Sequence, residues 1–229
     1  MPITTVTRTK VVKYADGKTV EFEYDTLGNL IKMRDWLGET NIENDEYGRA
    51  VRISDYNKNV VGFEYGKKGE KKAVVYPDGE KVDFRHDEYG RLIQVDTSAG
   101  VINYIYDNSG QIKKKRFPGN VWVDYTYDRA GRVSEFTSTD ATGAVDKFMY
   151  EYDAVGNKVR ICKRRRGMSA LSGDYHYSYD SLNRLIEVEK DGKLLRSYSY
   201  DGYGNRTYMS EEGEEFFYTY NVLNQLLTR

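Results

Sequence analysis

Carboxylates recur along this sequence at an almost constant interval, and paired acids at a fixed separation are the equipment of many hydrolytic enzymes. The acids are Asp25, Asp45, Asp87, Asp107, Asp128, Asp153, Asp180 and Asp201, each one residue after an anchor position. The anchors are Tyr24, Asn44, Tyr65, His86, Tyr106, Tyr127, Tyr152, Tyr179, Tyr200 and Tyr220, spaced by 20, 21, 21, 20, 21, 25, 27, 21 and 20 residues. A catalytic pair is needed once, so an acid that returns in eight of ten repeats is a structural device first. Other reactive groups are sparse. His86 takes an anchor place and His176 precedes Tyr177, with no carboxylate or thiol at metal-ligand spacing. Cys162 is the lone cysteine, so neither an intramolecular disulfide nor a multi-cysteine metal site is available, and it reads as inert. Lys163, Arg164, Arg165 and Arg166 form the densest positive cluster, the candidate contact for an acidic partner or a nucleic-acid backbone, or else an exposed protease-sensitive site. No phosphate-cradling or dinucleotide fingerprint occurs, and no cofactor is implied.

The elements that position these residues follow from the spacing. Four residues after each anchor stand Gly28, Gly48, Gly69, Gly90, Gly110, Gly131, Gly156, Asn183, Gly204 and Asn224. Asp-x-x-Gly predicts a type I turn, with the aspartate bonding the backbone ahead and a left-handed residue forming a bulge after it. Glycine adopts positive φ freely and asparagine tolerates it best, so Asn183 and Asn224 are the exchanges such a turn accepts. Before each turn the chain alternates with period two. Phe22, Phe63, Phe84, Tyr104, Tyr125, Tyr150, Tyr177, Tyr198 and Tyr218 lie two residues before their anchors. Behind the turns, Met33, Ile53, Val95, Phe136, Ile161 and Val188 form a second apolar column. Each repeat is therefore a hairpin. Second turns such as "YADG" (14–17), "YPDG" (76–79) and "KDGK" (190–193) lead to the next.

The expectation is an all-β chain: roughly 20 sequential antiparallel strands in about ten hairpins, a solenoid-like, curling sheet forming an open shell segment. It is read as a single domain over residues 1–229. The 25- and 27-residue spacings predict extended rim loops at 137–147 and 162–174, the second carrying the Lys163–Arg166 cluster. Composition agrees with sheet and tight turns, with 22 tyrosines and 21 glycines against 3 prolines. Positive and negative side chains nearly cancel, 35 against 36, which disfavours nucleic acid and anionic membrane as partners. No apolar run is long enough to span a membrane. The first ten residues lack an apolar leader, so the cytoplasm, or export without a cleaved signal peptide, is the expected location.

The motifs "YDTLGNL", "HDEYGRL", "YDRAGRV", "YDAVGNK" and "YDGYGNR" resemble the YD repeats of the Rhs family, shared by bacterial Rhs toxins, toxin-complex C components, wall-associated proteins and teneurins. The resemblance covers residues 10–229. It implies a spiralling β-sheet forming part of a hollow shell which, in toxin members, encloses an effector domain. The Asp-Pro-containing motif linked to autoproteolysis in several members has no counterpart here, since "DGYGNRTY" (201–208) reads as one more repeat. The expected role is thus a non-catalytic scaffold, a fragment or orphan of such a shell. Its partners would be further repeats, a toxin, or a second copy paired through strand edges. The alternative is a stand-alone interaction module, carbohydrate-binding through exposed aromatics such as Tyr203 or acting as a toxin partner.

Overall fold

The structure, a computed structural model, describes residues 8–228, so most of the N-terminal stretch read for a leader lies outside it. Among the described residues there are 22 β-strands, and the one helical piece is a short 3-10 turn at Ser169–Leu171. Twenty strands belong to one antiparallel sheet, and Thr219–Tyr220 with Leu226–Thr228 forms a separate two-stranded ribbon. The chain divides into two compact units, Met1–Tyr104 and Ile105–Arg229.

In the first unit, consecutive strands pair in chain order. The pairs Phe22↔Met33, Ile42↔Ile53, Phe63↔Val74 and Phe84↔Val95 face one another within hairpins. Met33↔Thr40, Ile53↔Val61 and Val74↔Val82 continue the row from one hairpin to the next. The two apolar columns of the sequence therefore meet on one face, as period-two alternation and antiparallel pairing require.

The second unit repeats the arrangement with larger rings. Tyr125↔Phe136↔Phe148 and Tyr150↔Ile161↔Tyr175 are cross-strand rows, and Phe136 and Phe148 stack at 5.3 Å between ring centroids. Each such pair contributes about 0.2–1 kcal/mol over alanine. Burial is shallow throughout. Among the described residues the buried hydrophobic ones are Val20, Ala73, Val74, Val95, Val123, Cys162, Val188, Met209 and Tyr218, and no large side chain is fully enclosed.

The long spacings differ from expectation. Residues 137–147 are not a loop: they lengthen the strands Val133–Asp140 and Gly143–Tyr152, joined by a tight turn at 141–142. The β-branched Thr137 and Thr139 suit a pleated surface, and Gly143, at φ 118°, closes the turn. Likewise Cys162, Lys163, Arg164 and Arg165 lie in the strand Lys158–Arg165, leaving a true connection only at 166–172. The extra residues found partners in the lengthened neighbouring strand, and pairing satisfies backbone groups that a loop would leave to water.

Candidate interaction surfaces

The turn after Tyr179 shows what the recurrent aspartate does. The Asn183 amide donates to the Asp180 carbonyl at 3.0 Å, and the Asp180 amide donates to the Arg184 carbonyl at 2.9 Å. Asp180 Oδ1 accepts the amides of Leu182 and Arg184, both at 2.9 Å, and Oδ2 accepts Arg184 Nε at 2.7 Å. Asn183 sits at φ 60° and Asn224 at 58°, where Gly28, Gly48, Gly69, Gly90, Gly110, Gly131, Gly156 and Gly204 lie between 77° and 101°. Asp45, Asp87 and Asp128 bind their own arginines Arg49, Arg91 and Arg132 in the same manner. Asp25, Asp153 and Asp201 bind the amides of Asn29, Asn157 and Asn205 instead. Asp107 accepts the backbone amides of Ser109 and Gln111.

These carboxylates are therefore engaged on the turn itself. The Arg49 guanidinium holds the Asp45 carboxyl below the usual range, and the Asn205 side chain does the same for Asp201. A carboxylate so held is ionised and acceptor-only, suited to bracing a turn and not to donating a proton. Two turns lack the acid, and both remedies are local: Asn221 accepts the Leu223 and Gln225 amides through its own Oδ1, both at 2.9 Å. With Gly66 in that place, the Glu70 carboxylate swings into the space an aspartate would fill and accepts the Lys68 amide at 3.0 Å.

The anchors tie successive hairpins together. The hydroxyls of Tyr65, Tyr127, Tyr152, Tyr179, Tyr200 and Tyr220 donate to the carbonyls of Ala50, Ile112, Val133, Lys158, Leu185 and Arg206 at 2.7–3.0 Å. Every acceptor lies two residues past the left-handed corner of the preceding hairpin. Asn44, the anchor without a ring, uses Nδ2 to reach the equivalent Leu30 carbonyl at 2.9 Å. The turn arginines then stack on the next anchor, with Arg49 over Tyr65 and Arg132 over Tyr152, each at 4.5 Å. Asn157 bonds Asn183 at 2.9 Å and Asn205 bonds Asn224 at 3.1 Å, so the corners themselves touch along the row.

The basic cluster is less available than its sequence suggests. Arg165 Nε donates to Asp146 Oδ1 at 2.9 Å, and Arg166 pairs with Asp140 and Thr142. Arg166 in turn holds the Asp140 carboxyl well below the usual range. The first pair ties the Gly143–Tyr152 strand to its neighbour Lys158–Arg165, and the second ties the end of Val133–Asp140 and its turn to the connection at 166–172. Lys163 lies over the Tyr175 ring at 3.8 Å, and burial followed by the charges of Arg165 and Lys190 lowers its pKa. Arg164 bonds the neighbouring Lys163 carbonyl at 3.0 Å and is exposed beside an open hollow lined by Ala144, Val145, Lys147 and Ser169. Cys162 is buried at 4% exposure. His176 is 3.9 Å from Asp174, and His86 ends its strand, half-buried.

Apart from Tyr203, sequence reasoning missed the residues at the turn tips. Leu27, Tyr47, Tyr89, Val155, Leu182, Tyr203, Val222 and Leu223 project with 67–99% of their surface exposed. Their signal was present: they occupy the two places between the turn acid and the left-handed corner, where backbone geometry makes no demand.

A hairpin-repeat sheet of this construction is also found in known proteins. A model of the RHS repeat matches residues 6–40. The tRNA3(Ser)-specific nuclease WapA of Bacillus spizizenii is 34% identical over 73 residues, 32% of this chain and 3% of that protein. The tRNA nuclease WapA of Bacillus subtilis is 28% identical over 78 residues, 34% of this chain and 3% of that protein. Among solved structures, the TcdB2–TccC3–TEV protein has the same fold over 97% of this chain and 16% of its own, with a TM-score of 0.73 at 14% identity. The Photorhabdus luminescens Tc holotoxin pore with a substituted TccC3 matches over the same shares, with a TM-score of 0.72 at 15% identity. The chain thus spans a small part of the proteins it matches. In its repeat over residues 6–40 and in its fold, the chain is similar to proteins with Rhs/YD repeats. Among the described residues no helix is long and apolar enough to cross a membrane.

Proposed function

We propose that this chain is a non-catalytic scaffold, a run of YD hairpins from an Rhs-type toxin shell that works by contact with other protein. One observation carries the reading. The turn carboxylates, the most regular reactive groups of the sequence, are engaged within the turns. The likeness of fold to TccC3-containing toxin proteins over 97% of the chain supports the same role. The curated relatives are tRNA nucleases by name, and the stretch shared with them consists of repeat. Bulk tRNA incubated with the purified chain, with and without divalent cations, stays intact on a denaturing gel under this reading. Cleavage that co-purifies with the chain through successive columns overturns it.

A further inference from the structure

The tips of the last four YD turns carry no charge. Their paired tip residues are Ala154–Val155, Ser181–Leu182, Gly202–Tyr203 and Val222–Leu223, in a chain in which 31% of residues are charged. Val155, Leu182, Tyr203, Val222 and Leu223 are exposed by 72, 67, 86, 99 and 73%. The row is held in line by bonds between corners, since Arg184 Nη1 donates to the Asp201 carbonyl at 3.0 Å and the asparagine pairs described above flank it. The turn acids beneath are already bonded, so a partner meets hydrocarbon along this edge. A rigid, uncharged apolar strip on a soluble surface marks a contact with protein.

We propose that this edge, residues 153–225, binds the same edge of a second copy of the chain. The argument is one of period. Successive tips are two strands apart, about 9.6 Å. A ridge with that repeat is complementary to itself when shifted by half a period, because a gap of about 10 Å admits one side chain with a van der Waals contact of about 4 Å on either side. Two such ridges related by a two-fold axis interlock tip into gap, the isologous arrangement of most dimers. The area is adequate. The five exposed tip side chains present about 700 Å² per chain and about 1,400 Å² for two copies, within the range of stable interfaces. The surface is distinct from the strand edges, which pair through backbone groups.

Sedimentation velocity on the purified chain across about 1–100 µM tests this, a range that spans the affinities of modest interfaces. The expected result is a concentration-dependent dimer. Leu182→Asp with Tyr203→Asp weakens it at least about tenfold, while far-UV circular dichroism, and the melting curve taken at a dilution where both proteins are monomeric, stay unchanged, since both side chains project into solvent. Leu27→Asp with Tyr47→Asp, the same exchange in the first unit, leaves the dimer intact. A monomer throughout the range, a dimer that survives the Leu182/Tyr203 exchange, or one dissolved by the Leu27/Tyr47 exchange overturns the proposal. The tRNA assay is blind to these outcomes, so a failed dimer and a failed scaffold reading are told apart.

Discussion

The YD turns of the first unit and those closing the second share a backbone and differ in what they display. In the first unit the tip pairs are Thr26–Leu27, Glu46–Tyr47, Lys67–Lys68 and Glu88–Tyr89, so charge interrupts hydrocarbon at three turns of four. In the second, four successive tips are charge-free. Yet the corners have the same left-handed φ, and the acids or their substitutes accept the same amides. Within one turn, then, two duties are separated. The acid, the corner and the residue after it build the ladder, and the two residues between are free to define a surface. Charges at the first unit's tips keep that edge solvated, in the way charged side chains guard exposed sheet edges.

The comparison can be broken most forcefully at the corners. Gly48→Ala is expected to destabilise the chain by about 2 kcal/mol or more, combining the left-handed penalty of about 1–2 kcal/mol with a collision between the new methyl and the Asn29 side chain. Gly204→Ala meets nothing within 4 Å, so it costs only the conformational part, about 1–2 kcal/mol. Urea denaturation of both variants checks the ranking, and equal losses would refute the close packing of corners.

A smaller effect attends the rungs. Tyr65→Phe in the first unit and Tyr200→Phe in the second each remove one hydroxyl-to-carbonyl bond at 2.9 Å, worth about 0.5–1.5 kcal/mol. The two losses should agree, because the rung is common to both units. A loss confined to one of them would mean that the units are not built alike.

The mildest test is acid. The folded-state carboxyls of Asp45 and Asp201 are held below their ordinary value, the first mainly by Arg49 and the second by Asn205, and that of Glu39 is lowered to about 2, mainly by Arg34. A carboxyl with a depressed folded pKa stabilises the fold above its unfolded pKa, and the contribution disappears as pH falls through the folded value. Melting temperature should therefore be level above about pH 5 and decline below about pH 4. Stability that rose on acidification would contradict the bonding assigned to the turn acids.

Much of this architecture is legible in the sequence, for a physical reason. Each corner constrains one residue to positive φ, and only glycine and asparagine meet that demand cheaply, so spacing alone places the turns. The facing columns follow from period two. What the sequence concealed depends on partners distant along the chain. Residues 137–147 and 162–165 read as loop because their length broke the period, whereas each found a neighbouring strand to pair with. The cluster Lys163–Arg166 read as free positive charge, but Asp140 and Asp146, some twenty residues earlier, engage two of its arginines. Glu70 standing in for a missing aspartate depends on the space Gly66 leaves, which spacing does not reveal.

The tyrosine rung also gives the array a direction. Six anchor hydroxyls and the Asn44 side chain reach back to a carbonyl of the hairpin before, so each of those hairpins is fastened by its successor in the sequence. Peeling of the sheet from its carboxyl end would therefore have to undo these latches one after another.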